Sequence, residues 1–472
     1  MTPAEFRDFG HTLIDWLADY RAGIRTRRVW SDAKPNSLLE QLPSSAPLLP
    51  ESPESLLHDL ETLILPHISN WQHPMFFGYF PANSSLEAVL GDLVSSGLGQ
   101  LGLNWAASPA LTELEEKMLL WMQQLCQIPS NMSGVIQDTA STATMVALIS
   151  ARERSTNYAL AGGGLQAEPQ AQMIYFSSQC HSSIEKGALL AGFGKANLRI
   201  VPVDVNFDIQ PAELEAQILE DIAAGKKPCA IVATVGGTTT TACDPLPELV
   251  RLAKQYGVWL HVDAAMAGSA MILPEMQPLF AGLDGADSLC LNPHKWLGAT
   301  FDCSLYYVSD PEHLVRVMST NPSYLQTSTD GQVKQYRDWG VPLGRRMRAL
   351  KLWFLLRLSG VENLQARLRR DLDNAKWLEE TIKTSSNWKV LNPVRLQTLC
   401  VRYEPEGLEG DALDKFTLAW VGQINQSGMA FLTPAILDGR WMVRVSIGAL
   451  ETNSEDMLQL WDLMRDAAYE LS

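Results

Sequence analysis

The sequence predicts an α/β fold, a mostly parallel sheet with flanking helices plus a smaller C-terminal α+β domain. Three observations predict it. Short apolar runs rich in β-branched or aromatic residues recur at Met173–Phe176, Leu198–Val203, Ala230–Val235, Trp259–Val262 and Ser288–Leu291. Helical patterns separate most of these runs, the order that parallel strands with crossover helices require. The tail from about Trp388 alternates strands and helices again on a smaller scale. A chain of 472 residues with 46% hydrophobic content can bury a large core and suggests two or three domains. The expected divisions are 1–85, 86–350 and 351–472.

The elements follow in order. Thr2-Pro3-Ala4-Glu5 reads as a helix start, with Thr as cap, Pro in the first turn and Glu reaching back. Phe6, Phe9, Leu13, Trp16, Leu17 and Tyr20 then recur at helical spacing. That stripe needs a later domain or a second copy of the chain to pack on. Residues 31–54, rich in Pro and Ser, read as an extended connection. Cys303–Val308 follows Ser288–Leu291 too closely for a crossover helix, so antiparallel pairing is expected. Residues 318–338 form a long aperiodic loop, which in a compact domain is usually functional. A helix is expected from about Leu343 to Leu358. Ser359-Gly360 breaks it, and a second runs to about Leu378.

Composition excludes several classes. A net charge of −16 argues against nucleic-acid binding and against docking on anionic lipid. Seven scattered cysteines without C-x-x-C spacing suggest neither a metal site nor a disulfide framework. No apolar run approaches the roughly 20 residues that span a bilayer, and the start of the chain does not resemble a signal peptide. A reducing, cytoplasmic compartment is expected.

Five segments carry chemistry. Asn292-Pro293-His294-Lys295-Trp296 places a lysine after a buried strand, where ligands bind in open α/β sheets. Desolvation there makes it a better amine nucleophile, although most lysines are solvated surface residues. Asp263, in His261-Val262-Asp263-Ala264-Ala265, ends another core strand. A protonated pyridine nitrogen would satisfy it, and so would the start of the next helix. Gln137–Thr144 places small and hydroxyl residues, among them Ala140 and Ser141, at a helix start that suits a phosphate; an ordinary cap reads the same. Gly236-Gly237-Thr238 follows a strand, where glycines admit a ligand closely and hydroxyls hold polar substituents, or where a plain turn stands. His181 follows Met173–Phe176; a lone His is more often structural than catalytic. What joins these weak signals is their order, which puts all five at one edge of one sheet.

At this point the chain resembles the group II amino-acid decarboxylases, which use pyridoxal 5′-phosphate on the aspartate-aminotransferase type of fold. Asn292-Pro293-His294-Lys295-Trp296 followed by Phe301-Asp302-Cys303-Ser304 carries the resemblance, which runs from about residue 3 to the C-terminus. Phe77-Gly78-Tyr79-Phe80-Pro81, Trp105-Ala106-Ala107-Ser108-Pro109, Gly134-Val135-Ile136-Gln137 and Pro342-Leu343-Gly344-Arg345-Arg346 are closest to the aromatic-L-amino-acid branch, and to bacterial DOPA decarboxylases within it. The resemblance implies that Lys295 carries the cofactor as a Schiff base, Asp263 holds its pyridine N–H and His181 stacks on its ring. It places Ala140, Ser141, Asn292 and His294 near the phosphate, with Thr238 and Ala265 against the ring. Tyr324 matches the loop tyrosine that protonates the substrate carbon. Trp71, Tyr79, Phe80, Ala82, Leu101, Leu103 and His181 would line the substrate. The resemblance also implies a homodimer with 1–85 at its interface.

Two departures bear on substrate choice. Ala82 stands where animal members have threonine, and Leu103 where they have phenylalanine. The expected activity is decarboxylation of an aromatic L-amino acid such as DOPA, tyrosine, phenylalanine or tryptophan. The alternatives are an acidic substrate (glutamate, aspartate or cysteine sulfinate) and an aminotransferase. The first would need an extra basic group near Trp71, Phe80 and Trp105. The second would use an arginine such as Arg444, which reads more readily as a structural ion-pair partner. Tyr324 and His181 favour simple decarboxylation over oxidative deamination.

Overall fold

The computed structural model describes every residue except Asn321, and every side chain except those of Asn321 and Tyr324. The chain divides into two compact units. The larger holds 82–375 and 392–399; the smaller holds 1–81, 376–391 and 400–472.

The larger unit is built on a seven-stranded sheet. Its strands are β1 (Ser133–Gln137), β2 (Gln172–Ser177), β3 (Leu198–Val201), β4 (Lys227–Thr234), β5 (Trp259–Asp263), β6 (Ser288–Leu291) and β7 (Ser304–Val308). Their order is β1-β7-β6-β5-β4-β2-β3. β7 runs antiparallel to both β6 and β1, as the short connection after Lys295 requires, and the other pairings are parallel. Every residue of β2, β5, β6 and β7 is buried. Helices cover both faces of such strands, so they read as continuous apolar runs and not as alternation.

β1 has a weaker signature, and a buried ion pair supports it. Ile136 N–H donates to Glu115 Oε1 at 2.8 Å, and Arg345 Nη2 donates to the Ile136 carbonyl at 2.6 Å. Arg345 also grips Glu115 with two bonds of 2.9 and 2.6 Å. The pair satisfies the backbone groups that a further strand would otherwise satisfy. Arg345→Met is expected to cost about 3–5 kcal/mol by leaving Glu115 buried and uncompensated. A fall in the melting temperature of the holoenzyme would register it, and an unchanged melt would contradict it.

The helix expected from Leu343 starts later, at Ala349, and ends at Ser359. The Arg345 carbonyl accepts from Gly102 N–H while its side chain reaches Glu115, so this stretch serves tertiary contacts first. Gly360 breaks the helix, and the next spans Val361–Lys383. Ala349–Ser359 packs on Leu86–Leu98 and Pro109–Leu125. The larger unit therefore runs past the expected division at 350.

The smaller unit carries a four-stranded sheet of β8 (Trp388–Val390), β9 (Thr398–Tyr403), β10 (Thr433–Leu437) and β11 (Arg440–Ser446), in the order β10-β11-β9-β8. Trp388 centres its core, with the rings of Tyr403, Trp420 and Trp461 within 5.4 Å. Residues 1–81 join this unit. Val29 N–H donates to Gly428 O, Arg25 pairs with Asp456 at 2.6 Å, and Phe77 N–H donates to Phe431 O. The helix Pro3–Ala22 opens with the expected reciprocal Thr2–Glu5 cap. None of its residues is buried, and Phe6 is 61% exposed.

Candidate active site

Each of the five chemistry-bearing segments follows the carboxyl end of a parallel strand: 139–141 after β1, His181 after β2, 236–241 after β4, Asp263–Ala265 at β5 and 292–295 after β6. Neighbouring segments are tied together. Val235 N–H donates to the Asp263 carbonyl, Asn292 N–H to the Ala265 carbonyl, and Thr238 N–H to the Gln179 carbonyl.

Lys295 sits in a one-turn segment with φ −96° and ψ −112°, outside helical values. Its neighbours fix that turn. Trp296 is fully buried and donates to Asp371 Oδ2 at 2.9 Å. Arg367 donates to the carbonyls of Trp296 and Leu297, both at 2.8 Å. Burial pushes the Asp371 carboxyl up and lowers Arg367 to about 10. The clamp leaves Lys295 partly exposed while the residue after it is locked in the core.

Asp263 is 6% exposed. Its Oδ1 accepts from Ala265 N–H at 3.0 Å and lies 3.6 Å from Cys290 Sγ. Among the described residues, no donor reaches Oδ2. An oxygen left open on a largely buried carboxylate can accept from a ligand. The local cap and the ligand site are therefore both present, one on each oxygen.

His181 Nδ1 lies 2.8 Å from Ser183 Oγ and accepts from Ser183 N–H at 3.2 Å. Desolvation and the Lys295 charge push the ring below its usual value, against the opposing pull of Asp263. His181 is thus pushed towards its neutral form by its surroundings. Thr139 caps the helix Ala140–Ser155 through Thr142 N–H. Ala140 is buried and Ser141 is exposed at that helix start. Gly236 has φ +83°, and a Cβ there would meet the Ala267 side chain at 2.6 Å. The turn holding Thr238 can thus form only with glycine at 236. Asn292 Oδ1 is buried without a hydrogen-bond partner.

Several functional contacts carry no signal in the sequence. Gln179 receives both Thr238 N–H and, on Oε1, Thr240 Oγ1 at 2.8 Å, joining the β2 and β4 turns. It stands two residues before His181, and that proximity was its only cue. Behind Asp263, His261 Nδ1 meets Ser288 Oγ at 2.9 Å and Nε2 meets Thr144 Oγ1 at 3.3 Å. Burial lowers His261 to about 4 and His294 to about 3, where Cys303 N–H also donates to Nδ1. Both values lie below the ordinary 6.5, so the folded state binds fewer protons than the unfolded chain beneath pH 6.5. Their stability is fully present above 6.5 and is lost as pH falls towards 4. The melting temperature is expected to fall between pH 7 and 5, with a shallower fall in His261→Gln. Equal slopes in the two proteins would refute this.

The residues expected to line the substrate fall in both units. Trp71, Tyr79 and Phe80 lie in the smaller unit, with Trp71 stacked on Tyr79 at 5.3 Å and Arg444 over the Phe80 ring at 4.9 Å. Arg444 is 4% exposed and donates to the Tyr79 carbonyl. Ala82, Leu101 and Leu103 lie in the larger unit. The 101–103 segment is pinned by Gly102 N–H to Arg345 O and by Ser108 Oγ to Leu101 O. Tyr324 falls in the turn Ser323–Leu325, and its side chain lies outside the described residues. No cluster of metal-ligating groups occurs among the described residues, and no helix among them is long and apolar enough to cross a membrane.

Comparison with known proteins places this geometry. Residues 35–404 match the pyridoxal-dependent decarboxylase conserved domain. The chain is 38% identical over 478 residues to tryptophan decarboxylase 2 of Oryza sativa subsp. japonica, covering 99% of this chain and 95% of that protein. It is 37% identical to the phenylacetaldehyde synthase of Arabidopsis thaliana, covering 99% and 96%. The crystal structure of Catharanthus roseus tryptophan decarboxylase in complex with L-tryptophan superposes with a TM-score of 0.94 at 35% identity, covering 100% of this chain and 99% of that one.

Proposed function

Because the chain belongs to the pyridoxal-dependent decarboxylase family, we propose that it converts an aromatic L-amino acid to the corresponding amine and CO₂. The observation that carries this is the open Oδ2 of Asp263 at the strand ends that also bear Lys295 and His181. The family's cofactor, pyridoxal 5′-phosphate, fits that donor set. Lys295 is its covalent anchor, and Asp263 Oδ2 holds the pyridine proton. His181 packs on the ring face, and Thr238 and Ala265 flank it. The helix start at Ala140 and Ser141, with Asn292 and His294, receives the phosphate.

When bound, the cofactor supplies an electron sink for the pair released as the Cα–carboxylate bond breaks. The protein's share is electrostatic and positional. Asp263 keeps the sink protonated, because a buried carboxylate strongly favours a positive partner. A neutral His181 covers the ring without adding charge. One C–C bond breaks, one C–H bond forms, and one proton is taken up, delivered to Cα by Tyr324. The stacked Trp71–Tyr79 rings support an aromatic choice of substrate. The chain works as a homodimer in the cytoplasm. The exposed Phe6, Leu17, Leu90 and Leu93 support the first statement, and seven cysteines without a disulfide, six of them buried, support the second.

The test is turnover of the holoenzyme on DOPA, tyrosine, phenylalanine, tryptophan, glutamate, aspartate and cysteine sulfinate. Amine from the aromatic substrates alone is expected, and turnover of an acidic one would overturn the substrate class. A second product deserves measurement, since one relative at 37% identity is named a phenylacetaldehyde synthase. His181 and Tyr324, both present here, favour the amine.

A further inference from the structure

Apart from the strand ends, the larger unit holds a cavity of about 520 Å³ between the helix Pro311–Met318 and the segment 330–339. Arg337 lines it with its side chain only 2% exposed. Its Nε and Nη1 are buried without a hydrogen-bond partner. Carboxylates of Asp338 and Asp330 balance its charge from 3.6 and 3.9 Å, beyond hydrogen-bond reach. Asp330 is already committed, accepting from Thr327 N–H, Thr327 Oγ1 and Gln335 Nε2 at 3.1, 2.9 and 3.0 Å.

On the facing helix, Arg316 lines the same cavity, held by stacking on the Tyr158 ring at 3.3 Å. No carboxylate lies within ion-pair distance of Arg316 among the described residues. Lys334, the third lining cation, is taken by Glu116 at 3.0 Å. Val315 and Val333 give the cavity an apolar side. A buried guanidinium with two idle donors costs free energy unless an acceptor arrives. A planar carboxylate is the acceptor its fork matches.

We propose that this cavity binds a small carboxylate-bearing molecule, its carboxylate accepting from Arg337 and Arg316 and its apolar body lying against Val315 and Val333. Such a ligand would tie together the two elements that flank the segment carrying Tyr324, and so act as an effector of the enzyme. Glu312 and Asp338 also line the cavity, so a free ammonium on the same molecule is tolerated. An amine without a carboxylate is not sufficient.

The test is hydrogen exchange of the holoenzyme read in peptides covering 311–318 and 330–339. The probes are 4-methylvalerate, leucine and isopentylamine at matched ionic strength, none of them an aromatic substrate or its product. The two carboxylates are expected to slow exchange at least two-fold with saturation, and isopentylamine to leave it unchanged. If only leucine protects, the ligand is an amino acid; if both carboxylates do, the carboxylate suffices. Arg316→Gln, on an exposed side chain, and Arg337→Gln should each abolish the effect while keeping cofactor absorbance. Protection that survives in both variants, or is equal with isopentylamine, overturns the proposal. Neither outcome depends on which substrate is turned over, so its failure is distinct from failure of the decarboxylase assignment.

Discussion

Lys295→Ala is expected to abolish turnover and the visible absorbance of bound cofactor. Removing the one nucleophile of a cooperating set typically lowers kcat by about 10⁴- to 10⁶-fold, and no other lysine belongs to the strand-end segments described above. The fold should survive, because the clamp on the Lys295 turn runs through Trp296, Asp371 and Arg367 and not through Lys295. The melting temperature of the cofactor-free protein should therefore match that of the parent, while borohydride no longer fixes cofactor to the chain. Retained turnover in this variant would remove Lys295 from the site.

The second large effect is expected from Asp263→Asn. The amide keeps an acceptor at Oδ1 for Ala265 N–H, so the local turn is preserved. At the other position it replaces a bare carboxylate oxygen with an N–H₂ donor. The pyridine proton then meets a donor instead of an anion. Losing one partner of a desolvated charge pair costs about 3–5 kcal/mol. That corresponds to a fall of about 10²- to 10⁴-fold in kcat/KM. Cofactor affinity should weaken as well, and the absorbance of what remains bound should shift. A variant with parental kcat/KM would mean that the carboxylate serves only as a turn cap.

The strand ends that carry these residues are legible in the sequence. Lys295, Asp263 and Thr238 follow strands whose apolar runs are unmistakable, and placement at the carboxyl ends of neighbouring strands then brings them to one edge. β7 was legible for a simpler reason, since eight residues cannot cross over from Lys295 to Ser304 and return parallel. Other features were not legible. β1 depends on Arg345 and Glu115, residues 230 apart that no local pattern links. The delayed helix start at Ala349 has the same origin, because Arg345 is committed elsewhere. The Trp296–Asp371–Arg367 clamp and the His261–Ser288–Thr144 contacts join residues 27 to 117 apart. Residues 1–85 were expected to pack on a later domain or on a second copy of the chain, and which part of the chain receives residues 1–81 was not legible. Their hydrogen bonds to Gly428 and Phe431 are backbone contacts, which side-chain patterning does not encode.

The central claim is that these groups release an amine and CO₂ from an aromatic amino acid. The most direct test is to follow both products, together with aldehyde, from purified holoenzyme given L-tryptophan and L-DOPA. Amine and CO₂ in one-to-one ratio, with no aldehyde, is the predicted result. Aldehyde in place of amine, or keto acid without CO₂, would contradict it.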